Sequence, residues 1–586
     1  MVRGFFSAFL HLLCVLVAGA LAFAVWEPLA YLLIGLAPER GLLSFLDSAA
    51  WGIALLLPFV IFMLLARVIS DKAVPNNLKN ATAADYAGGA VCGLAIGLIT
   101  AGVFVIGIQG LRLPTSLGYQ PVWFTEDRAA GAGSLTHDDR LWIPADRITA
   151  GIFQNISEGS MSAPNSLARW HPDLAGAAFA ARISPGEGAG RNAISPDDFN
   201  IIKTYTVASP ERPVAANDLL AFAGSSTPQR YLGIDAQPVA KGHLFGVVVQ
   251  FEPAARERGG RGGGQVIVSN GQAQLIAHNA ATGRSTTIFP VAAISENAEA
   301  DGRLGRWKFD ANDVFISSVG AQSQPVFAFE FLVPEGYTPL GLHLRQARQL
   351  TADMPPPVVF ESVTERDRRV TSGTILRPEG ATRRQRDDSN AVVINGSAIG
   401  GRGTGTDTGI SITNTLGTMV SSQTARSRLD LDDDNRISNG QAKFLASEVG
   451  RSNAPTARAM RVDSFTVGAN QTMVQIDVSP TMAASFVSEA ARLAPTDQPL
   501  VLIDSNGNEF QAIGFVYSDR EIFEVRYTLG NTLSGISDTP TLSTARDDQK
   551  LVILFVVTSG ATIEQFAAGD IVLANFRPAM TAAAGG

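Results

Sequence analysis

Apolar residues crowd the first part of this chain and thin out after residue 110 or so. Phe5 to Trp26 runs without a charge, Leu43 to Ala66 holds Asp47 near its start, and Ala87 to Ile108 carries no charge at all. A helix needs roughly 20 apolar residues to cross the hydrocarbon core of a bilayer. In lipid it also satisfies each backbone amide internally. The pattern therefore predicts three spanning helices. Pro28 to Leu36 is too short to span and reads as an interfacial helix. The length of the first run, and the hydrophobic segments behind it, argue against a cleaved leader.

The later pattern changes period. Between 113 and 199 a partly helical connector is expected. Ala145 to Glu158 sets Ile148, Ile152, Phe153 and Ile156 on one helical face, and His171-Pro172-Asp173 opens another helix. Beyond 200 apolar residues alternate, as in Val247, Val249, Phe251 and again in Val474, Ile476, Val478. Period two marks half-buried strands. Val266 to Gly271 matches Val501 to Gly507, and Asn-Gly after a strand predicts a hairpin turn. Val326 to Leu344 likewise matches Leu551 to Phe576. These landmarks recur in order at offsets of about 225 to 235 residues, which reads as a duplication. The expected layout is a transmembrane domain at 1–112, the connector at 113–199, and β-sandwich units at 200–350 and 455–580. A low-complexity, partly disordered linker at 351–454 separates the units, and a flexible tail covers 581–586. The linker assignment rests on the charge-dense runs Arg366 to Arg369 and Arg383 to Asp388 and the tract Gly400 to Gly409.

Composition narrows the classes. A net charge of −8 disfavours a general nucleic-acid binder. Both cysteines, Cys14 and Cys92, lie in apolar runs, so the rest of the chain has neither a disulfide nor a thiolate nucleophile. Arg67, Lys72 and Lys79 follow the second run and Arg3 precedes the first, whereas Arg40 stands alone in the loop between them. Positive residues concentrate on the cytoplasmic side. The N-terminus is therefore expected in the cytoplasm and the C-terminal bulk outside it, in the periplasm of a two-membrane cell.

Gly89, Gly93 and Gly97 recur every fourth residue beside Gly88, a face on which helices pack closely in lipid. Packing within the chain is the expected use. Arg3-Gly4-Phe5 opens the first helix, Ala66-Arg67-Val68 closes the second, and Asp85 precedes those glycines in the third. In this order residues 1–112 resemble the colicin V production (CvpA-like) family of bacterial inner-membrane proteins. That family usually carries one more helix ahead of the Arg-Gly-Phe position, which this sequence lacks. The resemblance implies a role in toxin production or export or in envelope homeostasis, and it supplies no catalytic residues.

Little conventional site chemistry is visible. Asp430, Asp432 and Asp434 fit positions one, three and five of a calcium loop, but Asn435 stands where glycine is needed and Gln441 where a bidentate Glu is needed. A solvated acidic turn is the preferred reading. No histidine belongs to a zinc motif. His11 and Asp47, both in apolar runs, are the candidates for an intramembrane polar pair. There is no nucleophile elbow and no phosphate loop. The sequence thus predicts a non-enzyme without a cofactor. Its expected partners are the bilayer and an envelope protein or a second copy of itself. The alternative is a tethered extracytoplasmic binding module whose helices are only an anchor.

Overall fold

The structure, a computed structural model, describes residues 4–37, 42–74, 82–111, 143–158, 165–180, 193–207, 242–257, 265–296, 304–309, 315–318, 324–378, 385–399, 408–450, 455, 457–468, 471–505, 507–528 and 532–582. The assignment of 581–586 as a tail lies mostly outside them.

Three helices, α1 (Phe5–Leu36), α2 (Leu46–Ala73) and α3 (Thr82–Gln109), are long and apolar enough to cross a membrane. They alternate in direction. Trp26 of α1 meets Trp51 of α2 at one end of the bundle, with Gly110 against Gly52, and the Phe5 amide donates to Asp85 Oδ1 at 2.9 Å at the other. Large side chains face outward on every fourth residue of α1, at Phe9, Leu13, Val17, Leu21 and Val25. Fully buried Ala18, Ala22 and Ala30 line its inner face and let the backbones approach. This apolar-outward pattern suits a lipid solvent. Pro28 does not break α1, contrary to the expected separate interfacial helix. Proline costs a helix interior about 3 kcal/mol. Packing of Trp26, Ala30 and Tyr31 on either side holds the helix continuous.

Helix α4 (Ala145–Glu158) packs across α1 and α3, followed by α5 (Leu167–Trp170) and α6 (Leu174–Ala180). Two glycine notches seat α4: Phe153 fills the space a side chain would need at Gly19, and Thr149 the space at Gly102. The inner stripe is Ala145, Thr149, Ala150 and Phe153, while Ile148 is 40% exposed. Of the expected face, Phe153 is buried and Ile152 and Ile156 pack against the core, while Ile148 turns outward and Thr149 takes its place, its Oγ1 donating to the Leu98 and Ile99 carbonyls at 3.4 and 3.5 Å. A Cβ at position 102 would lie 2.3 Å from the Ala145 carbonyl oxygen. Gly102→Leu is expected to expel α4 at a cost of about 1–3 kcal/mol. Hydrogen exchange over 145–158 should then accelerate while the centres of α1 and α2 stay protected.

Unit one is a sandwich. Its strands are β1 (Phe199–Val207), β2 (His243–Phe251), β3 (Ile267–Ser269), β4 (Ala273–Asn279), β5 (Arg284–Ile288), β6 (Ala292–Glu296), β7 (Leu304–Lys308), β8 (Phe315–Ser317), β9 (Val326–Val333), β10 (Thr338–Leu344), β11 (Ala347–Leu350) and β12 (Val358–Phe360). One sheet has the order β12-β1-β2-β9-β6-β7 and the facing one β11-β10-β4-β5. Val247, Val249, Phe251, Phe327, Phe329 and Leu342 fill the space between them. The outer face of the larger sheet is buried too, under helix α7 (Val363–Thr371) and Ile375. That is why seven consecutive residues of β9 are buried where half-buried alternation was expected.

Unit two contains β13 (Val392–Ile394), β14 (Ile410–Ile412), β15 (Thr415–Ser421), β16 (Asp430–Leu431), β17 (Ile437–Leu445), β18 (Arg461–Ser464), β19 (Gln471–Asp477), β20 (Leu500–Asp504), β21 (Glu509–Gln511), β22 (Gly514–Ser518), β23 (Ile522–Tyr527), β24 (Lys550–Thr558), β25 (Thr562–Ala568) and β26 (Ile571–Thr581). Its sheets run β14-β19-β24-β22-β23-β17-β16 and β13-β26-β25-β20-β21. The run β1-β2-β9-β6-β7 therefore has the same connectivity as β14-β19-β24-β22-β23, and β11-β10-β4-β5 the same as β26-β25-β20-β21.

Two sequence landmarks need correction. Asn270-Gly271 is no hairpin turn: it forms a single helical turn between β3 and β4, buried because Asn270 Nδ2 donates to the Pro290 and Phe309 carbonyls. The strand in the position of β20 is β4, not β3. Likewise β10 answers to β25, which crosses to the second sheet, and not to Ile571 to Phe576. The hairpin expected after Ile503 does form, between β20 and β21. The region 351–454 is not simply a linker. Residues 358–376 cover unit one, and most of 408–450 supplies strands and outer core to unit two.

Candidate functional site at the bundle–sandwich junction

Helix α1 is longer than the apolar core of a bilayer is thick. Its 32 residues extend roughly 48 Å, against a hydrocarbon core of about 30 Å. The outer face of the β10–β11 hairpin docks on the C-terminal part of this helix. Alternate residues of a strand face opposite sides, so Leu342 and Leu344 enter the sandwich core while Gly341 and His343 face the helices. Arg348 on β11 pairs with Glu27 at 3.0 Å, and its backbone amide donates to Tyr31 Oη at 3.1 Å. Tyr31 Oη in turn donates to Glu27 Oε1 at 3.2 Å. The Arg348 guanidinium lies 4.4 Å from the Trp170 ring centre, and Trp170 fills the space beside Gly341.

A column of rings runs through this contact. Trp51 lies 5.4 Å from Trp26, Trp26 5.3 Å from His171, and His171 5.0 Å from His343. The Trp26 indole donates to the Trp51 carbonyl at 2.9 Å. The Gln154 amide fixes the His171 carbonyl at 2.7 Å, tying α4 to the column. Trp51 Nε1 and His343 Nε2 are buried without a hydrogen-bond partner among the described residues. Both residues border a cavity of about 20 Å³, together with Gln272, Gln274 and Arg345. That is room for a water molecule and too little for an organic ligand. Burial, and then the Arg348 charge, depress the His171 imidazolium pKa to about 3. Burial, His171 and Arg348 push His343 well below its ordinary value.

A second hollow of about 310 Å³ lies on unit two between β15 and the outer sheet face, bordered by Leu416, Gln475, Asp519, Phe523 and Lys550. Its charges are already engaged: Asp519 with Tyr517 and Arg546, Lys550 with Asp477.

The residues singled out in the sequence fall elsewhere. Gly88 packs on Phe5, and Gly89 touches the start of α1, but Gly93 and Gly97 have open space where a side chain would stand. The close α2–α3 approach uses Gly52, Gly107 and Gly110 instead. His11 and Asp47 do not meet. Counting from the Trp26–Trp51 contact, they stand in opposite directions, roughly 28 Å apart along the bundle. The calcium-loop reading gives way to a charged turn. Asp432 receives the Arg436 side chain at 2.8 Å and Thr466 Oγ1 at 2.7 Å, and Asp434 also pairs with Arg436, while Asp430 lies in the edge strand β16. Among the described residues no three His, Cys, Asp or Glu converge on a metal position. No sequence motif announces the junction, although Glu27 closing an apolar run and His343 on an otherwise apolar strand are its visible signals.

Comparison with protein-family models, with curated proteins and with solved structures finds no match to this chain.

Proposed function

We propose that this is a membrane-embedded assembly protein that holds two β-sandwich units in a fixed pose on one side of a bilayer. The observation that carries this reading is the junction: α1 leaves the bundle as a continuous helix and is bonded to unit one through Glu27, Tyr31 and Arg348. A helix that served only as an anchor would need no such contact. The distribution of Arg67, Lys72, Lys79 and Arg3 supports a cytoplasmic N-terminus with the β units outside. The resemblance of residues 1–112 to the colicin V production family supports an inner-membrane setting and a role in toxin export or envelope homeostasis. The shared strand order supports descent of both units from one duplicated sandwich. Their partner would be an envelope protein.

Two measurements test the proposal. A C-terminal tag should be digested by protease added to intact spheroplasts; full protection would place the β units in the cytosol and overturn the orientation. In nanodiscs, spin labels at Leu57→Cys and Ala280→Cys, with Cys14 and Cys92 replaced by Ala, should give one narrow distance at pH 8. A broad distribution would favour the flexible-tether alternative.

A further inference from the structure

We infer that the His171–His343 pair makes the docking of unit one acid-sensitive, so that protonation releases the sandwich from the helix bundle. The inference rests on the fixed pose proposed above and adds a control to it. The two rings stand 5.0 Å apart at the contact between α5–α6 and β10, and His343 is only 4% exposed. The charged groups around them are unfavourable to a new cation. Arg348 on β11 and Arg345 after β10 already bring two guanidinium groups, paired with Glu27 from α1 and Glu257 from the β2–β3 connection. Asp198 ahead of β1 acts on Arg345 from longer range, and its carboxylate accepts from the Ser195 amide at 2.6 Å. Tyr31 on α1 is occupied with Glu27 and Arg348, and Asp173 ahead of α6 caps its own helix through the Gly176 amide. The carboxylates at the junction are thus committed to other groups. One proton on either ring puts a charge in a buried site beside Arg348, and a second sets two imidazolium rings side by side.

The sign follows from which state takes up protons. Undocked, both histidines return toward a free value of about 6.5. Docked, they stay neutral far below it. The undocked state thus binds more protons as pH falls through 6.5, and docking weakens. The dependence approaches tenfold per pH unit for each histidine that stays neutral while docked. The cavity beside His343 gives the first water a place to enter as the contact opens.

Hydrogen exchange of the full-length protein in nanodiscs tests this, because it reads opening too rare for a distance measurement. After correction for intrinsic exchange, protection over residues 24–34 and 341–349 should fall between tenfold and a hundredfold per pH unit below pH 6, while the centre of α2 and strand β24 remain unchanged. His171→Gln with His343→Gln should flatten this dependence and keep the narrow pH 8 distance. Protection in the wild type that is constant from pH 8 to pH 5 would overturn the inference, as would an equal acid response in the double variant. Should that variant fail to dock at pH 8, the wild-type profile alone decides. A broad wild-type distance at pH 8 would instead remove the fixed pose on which the inference stands.

Discussion

Replacing Glu330 by Ala should cost unit one about 3–5 kcal/mol, the loss typical of stranding a buried charge. Glu330 lies on β9, fully buried, and accepts from Tyr205 Oη at 2.9 Å, Arg306 Nε at 2.8 Å and Arg366 Nη1 at 2.9 Å. Removing it leaves two guanidinium groups facing each other inside the sheet's outer layer. Arg366 belongs to α7, so the helix covering Val248, Ala328 and Phe360 should detach with it. Urea unfolding of the detergent-solubilised protein, followed by exchange of unit-one peptides, measures the effect; a loss below about 1 kcal/mol would mean that the cluster relaxes freely. The same group sets an acid limit. Burial alone would raise its pKa, but Arg306 and Arg366 overcome this and hold it at about 2. A depressed carboxyl contributes stability above its unfolded value of about 4.3 and loses it as pH falls toward 2. Unit one should therefore weaken between about pH 4.5 and pH 2. Glu330→Gln should be less stable at pH 7 and flatter across that window.

Arg345→Ala should be comparably severe, again about 3–5 kcal/mol, for a different reason. Arg345 is fully buried at the turn after β10, with a φ of 45°. Its guanidinium donates to the Ile267 carbonyl at 2.9 Å and the Ala255 carbonyl at 3.0 Å, and it pairs with Glu257 at 2.8 Å. One side chain thus ties β3 and the segment after β2 to the docking hairpin. Arg345→Lys keeps the charge but cannot serve three acceptors in a plane, so it should recover only part of the loss. Because Arg345 also borders the cavity beside His343, the Ala variant should raise exchange over 341–349 at neutral pH. Unchanged exchange there would separate the sandwich from the junction.

Legibility in the sequence followed the strength of the local signal. The three apolar runs are long, and lipid admits few alternatives to helix, so α1 to α3 could be read directly. Alternation in β2 and β19 marked strands correctly, but it could not tell which strand faces which. The match of Val266 to Val501 compared β3 with β20, whereas connectivity pairs β20 with β4. Charge density misled most in the region after residue 351. Arg366, Asp367, Arg368 and Arg369 look like a solvated run, yet α7 turns Arg366 inward to a carboxylate 36 residues earlier. Nothing local in the sequence marks one arginine of a run as buried. The glycine stripe failed in the opposite way: its periodicity is real, but beyond Gly89 the neighbouring helices meet α3 on other faces. The junction needed α1, α2, α4, the α5–α6 segment, β10 and β11 brought together, and no single stretch carries its pattern.

The docked end of α1 has a mechanical corollary. A stiff rod clamped to its cargo at Glu27 and Tyr31 has no swivel between lipid and sandwich. Helices respond to a thinner or thicker bilayer by changing tilt. In the pose proposed here such a change would lean the attached mass as well, so a different bilayer thickness would tilt the β units with it.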